Sequence, residues 1–421
     1  MTTNNTRLFK KSLLAVTITL ASSQAMAAGF QLNAQSATGI GRAFAGDAVI
    51  ADNASVMARN PAAMALFDKT ELSLGFESIT SMIEVKDATY KGFMGSTSSN
   101  ADYDDAGDTS IAPNIHLIVP INEKFAVGFN AYSNFGTKTE FSDSYVGGEY
   151  GGLTDVKSVN FGLAGSYRLN DQWSFGAGLD LIYGKGELKR TMSSESGTGG
   201  IPLPLPQPGQ TVLDAEADGW AVGFNLGTVF ELNENNRFGL AYHYSPKLEA
   251  EGDISYQGIE YKDDTLHMPL PDMVEFSGFH KIEDTKFAVH YSVQWIGWSS
   301  FDKLEADKAG VLNNYEWQNG MHYSLGGTYY MNRDWTLRAG YMYDTSAQDE
   351  VTSVSVPDSD RQWFSAGFTY HINEASNVDF GFTYLMGDDV KVNESTSVVS
   401  SISATTRADA ILMGLQYSRS F

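Results

Sequence analysis

The chain has 421 residues, of which 42% are hydrophobic and 12% aromatic, with a formal net charge of -23 and no cysteine. The lack of cysteine excludes a disulfide scaffold, a thiolate metal site and a cysteine nucleophile. The acidic charge argues against nucleic acid as a partner, because neutralising phosphates needs a basic surface.

Residues 1–27 have the pattern of a secretory signal peptide. A basic stretch, RLFKK, precedes the apolar run SLLAVTITLASS, and AMA at 25–27 resembles a cleavage site. The apolar run is shorter than the ~18 residues that a membrane-spanning helix needs, which favours a signal peptide over an anchor. We therefore expect an exported bacterial protein whose mature chain begins at residue 28.

Residues 28–69 are rich in alanine and glycine and show no β alternation. Within them, SATGIGRAFAGDA at 36–48 looks like a phosphate-binding loop. A dinucleotide fingerprint needs a preceding strand and G-x-G-x-x-G spacing, and this segment has neither. The composition instead predicts a compact insert, in which ADNAS (51–55) and RNPAAMA (59–65) form helix caps and turns.

The remaining residues, 70–421, alternate between apolar and polar with a period of two, which indicates β-strands. From Trp173 to Tyr183, for example, the odd positions are apolar or aromatic and the even positions are mostly small or polar. We predict fourteen strands, an even number as a closed bacterial barrel requires. They start near residues 70, 110, 124, 156, 172, 216, 236, 271, 285, 315, 334, 358, 376 and 403.

The connections alternate in length, as they do in an up-and-down barrel of the outer membrane. Short turns such as INEK (121–124) alternate with longer polar connections near 86–109, 142–156, 191–216, 257–270, 345–357 and 392–402. A soluble β-sandwich or solenoid would show the same alternation. The uncharged, glycine-rich polar face, the aromatic residues at strand ends and the terminal Phe421 favour the barrel. Fourteen strands enclose more space than their side chains fill, so we expect residues 28–69 to plug the lumen.

These sequences carry a family resemblance. AGFQLNAQSATGIGRAFAGDAVIADNASVMARNPAAMALFD, at 28–68, resembles the N-terminal hatch of the FadL family, outer-membrane channels for long-chain fatty acids and other hydrophobic compounds. The NPA sequence of that hatch is Asn60, Pro61 and Ala62 here. The similarity continues through SNFGTKTEFSDSYVGG (133–148), SYRLNDQWSFGAGLDLIYGKGELKR (166–190), LPDMVEFSG (270–278) and VPDSDRQWFSAGFTY (356–370), and covers essentially the whole mature chain.

The resemblance implies an all-β fold, a 14-stranded antiparallel transmembrane barrel at 70–421 with the hatch at 28–69 in its lumen. It implies capture of the ligand at outer loops, binding in an apolar pocket beside the hatch, and lateral release through an inward kink in the third strand. Each methylene taken into water costs ~0.8 kcal/mol, and release straight into lipid avoids that cost. We predict the kink at Asn134, Phe135 and Gly136, where the alternation stops beside a glycine. The start of an ordinary loop is the alternative interpretation of these residues.

Arg190 is the predicted carboxylate ligand. Its even parity with Asp180 and Gly184 predicts the lumen face, where a guanidinium can bind a carboxylate through two hydrogen bonds, and it matches a headgroup-contacting arginine of the family. The alternative is an arginine at the outer rim that meets lipopolysaccharide or water. The family adds a lysine from the tenth strand, where this chain has Gln318, with His322 further along the same face. Because Gln318 replaces that lysine, the sequence indicates fatty acid as the substrate less firmly than it indicates the transport mechanism.

The hatch and the outer loops supply further candidates. We expect Phe30 to reach into the pocket, and Asn60, Pro61 and Ala62 to act either as a gate or as a helix cap. GGIPLPLPQPGQ at 199–210 is predicted to be the first contact for a hydrophobic ligand, or a stiff linker. The connection at 257–270 is short for the family's fourth outer loop, which predicts a reduced outer groove.

The sequence therefore predicts a channel for uptake of long-chain fatty acids, with aromatic or alkane hydrocarbons as the alternative ligands. It predicts no enzyme, because the seven histidines are scattered and neither G-x-S-x-G nor H-E-x-x-H occurs. An open porin remains a further alternative. We expect no cofactor and no metal, and a monomer surrounded by outer-membrane lipid and lipopolysaccharide.

Overall fold

The computed structural model describes residues 29–33, 35–95, 97–197, 206–396 and 400–421. The predicted signal peptide at 1–27 and most of the apolar run at 199–210 lie outside the described residues.

The described strands form one antiparallel sheet that closes into a barrel. In chain order they are β1 (Glu71–Lys91), β2 (Ser98–Asn100), β3 (Thr109–Pro120), β4 (Phe125–Tyr132), β5 (Gly136–Glu140), β6 (Leu153–Arg168), β7 (Trp173–Thr191), β8 (Thr211–Asn233), β9 (Asn236–Tyr244), β10 (Lys247–Tyr256), β11 (Ile259–Pro269), β12 (Met273–Lys281), β13 (Phe287–Ile296), β14 (Lys303–Ala306), β15 (Gly310–Asn314), β16 (Gly320–Tyr330), β17 (Trp335–Asp344), β18 (Arg361–Asn373), β19 (Ser376–Gly387), β20 (Val390–Thr396) and β21 (Ser400–Ser420). Strands β4 and β5 together form one interrupted barrel strand. Strands β2, β10, β11, β14, β15 and β20 extend the outer connections, and fourteen barrel strands remain, as predicted. The barrel closes where β1 pairs with β21, from Glu71 opposite Ser420 to Lys91 opposite Ser401.

The alternation of the sequence maps onto the two faces of the barrel wall. In β7, Leu179 and Leu181 point outward and are 64% and 43% exposed, whereas Asp180 and Ile182 point inward and are buried. An apolar outer face and a more polar inner face suit a wall surrounded by lipid. Two aromatic pairs lie across β7 and β8, Trp173 against Phe230 at the start of β7 and Tyr183 against Trp220 ten residues further along it. This spacing suits two membrane interfaces, since ~9–11 residues of a tilted strand cross a bilayer.

Two outer connections differ from the prediction. Strand β9 ends at Tyr244, and the hairpin of β10 and β11 fills the connection at 245–272, so the prediction of a short connection at 257–270 is wrong. A second hairpin, β14 and β15, lies in a connection at 297–319 that the sequence analysis missed. The reason is physical. A half-buried outer hairpin alternates like a barrel strand, so the period of two does not mark where the wall ends.

The hatch lies inside the barrel and consists of short helices. They are α1 (Ala37–Ile40) and the 3-10 helices η1 (Ala54–Ala58) and η2 (Pro61–Leu66); two further 3-10 turns, η3 (Phe93–Gly95) and η4 (Trp298–Ser300), lie in outer connections. Nearly every hatch residue is buried. Within the part of the chain that the structure describes, no helix is long and apolar enough to cross a membrane.

Glycines on the inner face of the wall let the hatch approach closely. Gly176 of β7 and Gly227 of β8 are register partners. A Cβ added at Gly176 would lie 2.3 Å from the Ala62 nitrogen, and one at Gly227 would lie 1.9 Å from Asn60 Oδ1. Because both distances are impossible for real atoms, the glycines of the polar face provide the space into which the hatch packs.

Candidate functional site

The ladder of the third barrel strand is interrupted at residues 133–135, next to Gly136, which was included in the predicted kink but already pairs in β5. Strand β4 pairs with β6 as far as Tyr132 opposite Asn160, and β5 resumes with Gly136 opposite Lys157. Residues 133–135 therefore face only two residues of β6, which is the register shift of a bulge. The side chain of Ser158 occupies the break, where its Oγ donates to Asn134 Oδ1 (2.6 Å) and accepts from the Phe135 N–H (3.0 Å).

The neighbouring strand, β3, is left partly unpaired beside the break. It pairs with β4 only from Ile115 to Pro120, and in the described residues the only strand that pairs with β5 is β6. At the outer end of β5, the Glu140 N–H donates to the Ala106 carbonyl (2.9 Å). We call this unpaired stretch, between residues 109–114 of β3 and strand β5, the seam. An ion pair between Lys138 Nζ and Asp108 Oδ2 (2.6 Å) bridges its outer end. Pro113, which has no N–H for a ladder, lies in the seam and is a sequence signal that the analysis missed.

The first described residues of the hatch pair with the broken strand. The Gly136 N–H donates to the Phe30 carbonyl (2.8 Å), and the Leu32 N–H donates to the Asn134 carbonyl (2.8 Å). Gln31 and Phe135 form an antiparallel bridge between these two bonds. We call residues 30–32 the partition, because they separate two cavities.

An apolar cleft lies on the outer side of the partition. Its walls include Phe30, Val156, Leu188, Met268 and Trp317. The Phe30 ring lies at the centre of an aromatic cluster, with its centroid 4.5 Å from that of Trp298, 5.4 Å from that of Phe301 and 5.6 Å from that of Trp317. The structure thus places Phe30 in the apolar cavity beside the hatch.

Arg190 lies at the outer end of this cleft. Its guanidinium donates to Thr154 Oγ1 (2.7 Å) and to the carbonyls of Lys189 (2.8 Å) and Leu153 (2.5 Å), which are neutral groups of the wall. Thr154 and Leu188 both line the cleft, so Arg190 is one inward-facing position beyond its lining on β7. The arginine is buried and remains cationic, because its ordinary pKa is far above neutral.

Glu394 lies near Arg190 in the outer connection that holds β20. Burial raises the pKa of this carboxyl to about 7, although a hydrogen bond from the Val354 N–H (2.6 Å) and the charge of Arg190 oppose the shift. The outer connection therefore brings a carboxyl with a raised pKa close enough to Arg190 to interact with its charge.

Gln318 does not meet Arg190. It is exposed, and its amide nitrogen lies 3.4 Å from the Ser346 carbonyl, whereas Tyr315 and Trp317 line the cleft. The prediction assumed that residue 318 faces inward, on the same side of the strand as His322. Strand β16 begins only at Gly320, and the alternation changes phase between Trp317 and Gly320.

His322 contacts the hatch rather than the cleft. Its Nε2 lies 3.2 Å from Asp344 Oδ1, and its Nδ1 lies 3.0 Å from both Gln294 Oε1 and Asn33 Nδ2. Asn33 Oδ1 in turn accepts from Arg59 Nη1 (2.6 Å). This buried chain joins the wall to the hatch, and its members lie far apart in sequence, so no local pattern predicts it.

The NPA sequence forms a helix cap. Asn60 Oδ1 accepts from the Ala62 N–H (3.0 Å), and Pro61 occupies the first turn of η2. The Asn60 amide also donates to the carbonyls of Ala48 (2.8 Å) and Thr228 (3.1 Å). The capping role thus has direct contacts, and the gate role of Asn60, Pro61 and Ala62 stays a prediction.

A second, polar cavity lies on the inner side of the partition, and we call it the inner chamber. Gln31, Arg59, Asp180 and Glu275 are among the residues that line it. Arg59 Nη2 pairs with Glu275 Oε2 at 2.5 Å. In the described ranges, no group of three or more histidine, aspartate or glutamate side chains is placed to hold a metal ion.

A closed barrel with an apolar outer face, a plugged lumen and an apolar cleft beside a seam in its wall is the architecture of an outer-membrane transport channel. The family model for "Outer membrane protein transport protein (OMPP1/FadL/TodX)" matches residues 18–421, and the chain belongs to that family. The family is one of transport proteins rather than enzymes and is located in the outer membrane, which confirms both predictions.

Individual relatives agree with this assignment. The chain is 35% identical to a long-chain fatty acid transport protein of Escherichia coli O6:H1, covering 98% of this chain and 99% of that one. It is also 35% identical, with the same coverage, to outer membrane protein P1 of Haemophilus influenzae. A solved structure of a FadL homologue from Pseudomonas aeruginosa superposes with a TM-score of 0.83, covering 94% of this chain and all of that one at 22% identity, and so supports the fold.

Proposed function

We propose that this protein takes up long-chain fatty acids, which enter the apolar cleft from the outside and leave sideways through the seam into the membrane. The main support for the proposal is that the cleft and the break in the third barrel strand are bordered by the same residues. Phe30 lines the cleft, and its carbonyl accepts from Gly136 where β5 begins. Thr137 of β5 also lines the cleft. The relatives named as fatty-acid transporters support the substrate class.

Outer hairpins cover the cleft and suit a capture step. Leu266 and Met268 of β11 and Leu304 of β14 line it from the outer side. These three side chains belong to the same buried apolar cluster as Phe30, so an acyl chain that enters between the hairpins would meet apolar side chains. The connection at 245–272 is therefore long enough to take part in capture, in contrast to the reduced groove expected from the sequence.

Lateral release is supported by the unpaired edge of β3. The seam is a stretch of wall that lacks the strand-to-strand ladder found elsewhere, so separating its two sides breaks few backbone hydrogen bonds. An acyl chain that passes there moves from apolar protein to lipid and never pays ~0.8 kcal/mol per methylene for contact with water. A route through the hatch would cross the polar inner chamber.

Deleting Asn134 tests lateral release. The deletion removes the extra residue of the break, so that β4 and β5 can pair with β6 in one register, and it removes the carbonyl that holds Leu32. We expect uptake of labelled oleate by cells to fall at least about tenfold while the purified protein still binds oleate. The control is Asn134→Ala, which keeps chain length and backbone carbonyl. Wild-type uptake by the deletion variant would refute lateral release here.

Hydrocarbons are the second candidate ligands, because Gln318 is turned away and Arg190 is already bound by neutral wall groups. Arg190→Met separates the two candidates. Hydrogen bonds to a charged group are worth about 1.5–3 kcal/mol, so the variant should bind oleate about 10- to 150-fold more weakly and bind its methyl ester as before. If the wild type binds oleate and the ester equally, the hydrocarbon assignment replaces the fatty acid.

A further inference from the structure

We propose that Asp180 is a specificity-determining residue, whose negative charge keeps carboxylates out of the inner chamber and so confines a fatty-acid headgroup to the cleft side of the partition. The inference rests on the proposed function, because it concerns where the bound acid can go. It addresses a question that the fold alone leaves open, namely why a ligand beside the hatch leaves through the wall rather than moving inward.

The two cavities are stacked along the same strand. On β7, Asp180 and Ile182 line the inner chamber, whereas Gly186 and Leu188 line the cleft. The partition lies between them, with Phe30 on the cleft side and Gln31 and Leu32 on the chamber side. A ligand that moves inward from the cleft must therefore enter the chamber next.

The charges that line the inner chamber do not cancel. Arg59 and Glu275 form a pair and neutralise one another. Asp180 is 6% exposed, and its carboxylate accepts from two neutral amides, Asn160 Nδ2 (2.8 Å) and Asn225 Nδ2 (2.6 Å). Amide donors stabilise a carboxylate without neutralising it, so Asp180 is the carboxylate of the chamber lining that has no cationic partner among the described residues. His243, which also lines the chamber, has its Nε2 2.9 Å from the Arg59 carbonyl and does not contact Asp180.

A buried negative charge repels a second one strongly, because screening by water and salt is weak inside the protein. Neutral polar groups meet no such barrier. Tyr132, Ser245 and Gln294 line the same chamber and offer hydroxyl and amide partners. The chamber should therefore discriminate by charge, accepting a hydroxyl headgroup and rejecting a carboxylate on a chain of equal length.

A purely structural role for Asp180 is the competing explanation, since its two amide partners join it to β6 and β8. The two roles differ in what they predict for a ligand. A structural role requires the carboxylate only for folding, and it gives no reason for an acid and an alcohol of the same chain to reach different places.

Photolabelling with paired probes tests the inference. The probes are a long-chain fatty acid and the matching fatty alcohol, each with a diazirine next to the headgroup, applied to the full-length protein in detergent. Mass spectrometry then locates the adducts on cleft and chamber residues. Folding is checked by the heat-dependent mobility of the barrel on gels. The variants are Asp180→Asn, Asp180→Glu, and the control Asp155→Asn, which removes an equal charge from the outer face of β6.

In the wild type we expect the acid to label the cleft and the alcohol to label both cavities. Asp180→Asn should raise the chamber-to-cleft ratio for the acid at least about tenfold, equivalent to about 1.4 kcal/mol, and Asp180→Glu and Asp155→Asn should keep the wild-type pattern. Equal chamber labelling by the two probes in the wild type would overturn the inference, even if Asp180→Asn does not fold. An unchanged ratio in folded Asp180→Asn would also overturn it. Absence of oleate-competed labelling in the cleft would instead refute the proposed function.

Discussion

Asn60 holds the hatch to the barrel wall, and replacing it by alanine should loosen the hatch without unfolding the barrel. The change removes the cap of η2, worth about 1 kcal/mol. It also leaves the buried carbonyl of Ala48 and the partly buried carbonyl of Thr228 without the Asn60 donor, at about 1 kcal/mol each. The sum is about 3 kcal/mol, which corresponds to roughly 100-fold faster local opening.

Hydrogen–deuterium exchange with mass spectrometry, on protein in detergent micelles, measures this opening peptide by peptide. We expect the amides of η1 and η2 to exchange roughly 100-fold faster in Asn60→Ala, while peptides of β7 and β8 exchange as in the wild type, because the wall keeps its own ladder. Asn235→Ala, in the partly exposed short turn between β8 and β9, is the matched control and should change neither region. If exchange at 54–66 stays within about threefold of the wild type, the contacts of Asn60 do not hold the hatch, and the energetic reasoning is wrong.

Three further predictions concern the cleft and the seam. Phe30→Ala should weaken oleate binding and shift the fluorescence of the tryptophans it packs against, because it removes the ring at the centre of the aromatic cluster; titration calorimetry and emission spectra check both effects. Binding of a long-chain sulfonate, whose own charge is constant, should weaken as pH rises through about 7, because Glu394 then becomes anionic near Arg190. Because the pKa of Glu394 is raised in the folded protein, the contribution of this carboxyl to stability is complete below about 4.5 and is lost as pH rises through 7. Glu394→Gln should remove both effects. Because the chain has no cysteine, the double variant Asp108→Cys and Lys138→Cys can be cross-linked across the outer end of the seam. Cross-linking should lower oleate uptake, and reduction of the disulfide should restore it. Unchanged uptake after complete cross-linking would contradict opening of the seam at that end.

The wall of the barrel follows from the sequence because lipid imposes a strict rule on it. Each spanning strand must turn apolar residues outward, so the period of two marks β6 and β7 clearly, and short turns such as 169–172 stand out between them. The break at residues 133–135 is visible for the same reason, since it violates the rule locally. Outside the membrane the same alternation no longer identifies spanning strands. Strands β10 and β11 alternate like strands of the wall, so the sequence does not show that the spanning strand β9 ends at Tyr244.

The candidate site was less predictable because most of its contacts join distant segments. Arg190 and Phe30 lie on elements whose parity or position is fixed locally, and both lie at the cleft. Gln318 precedes its strand, so the parity of β16 does not apply to it. The contact of His322 with Asn33, and the pairing of Arg59 with Glu275, depend on how the hatch is seated in the lumen. No period or local motif contains that information.

The seating of the hatch also explains how the wall tolerates its own break. An unpaired strand edge is costly at membrane depth, because lipid offers no hydrogen-bonding partner to the backbone. At the break, Phe30 and Leu32 supply the partners that β3 does not, through their bonds to Gly136 and Asn134. On the other edge, Pro113 reduces the number of donors that need a partner. Moving the partition therefore uncovers polar backbone in the wall, so the position of the hatch and the pairing at the seam should be coupled. We expect a ligand that displaces Phe30 to loosen the strand beside the proposed exit as well.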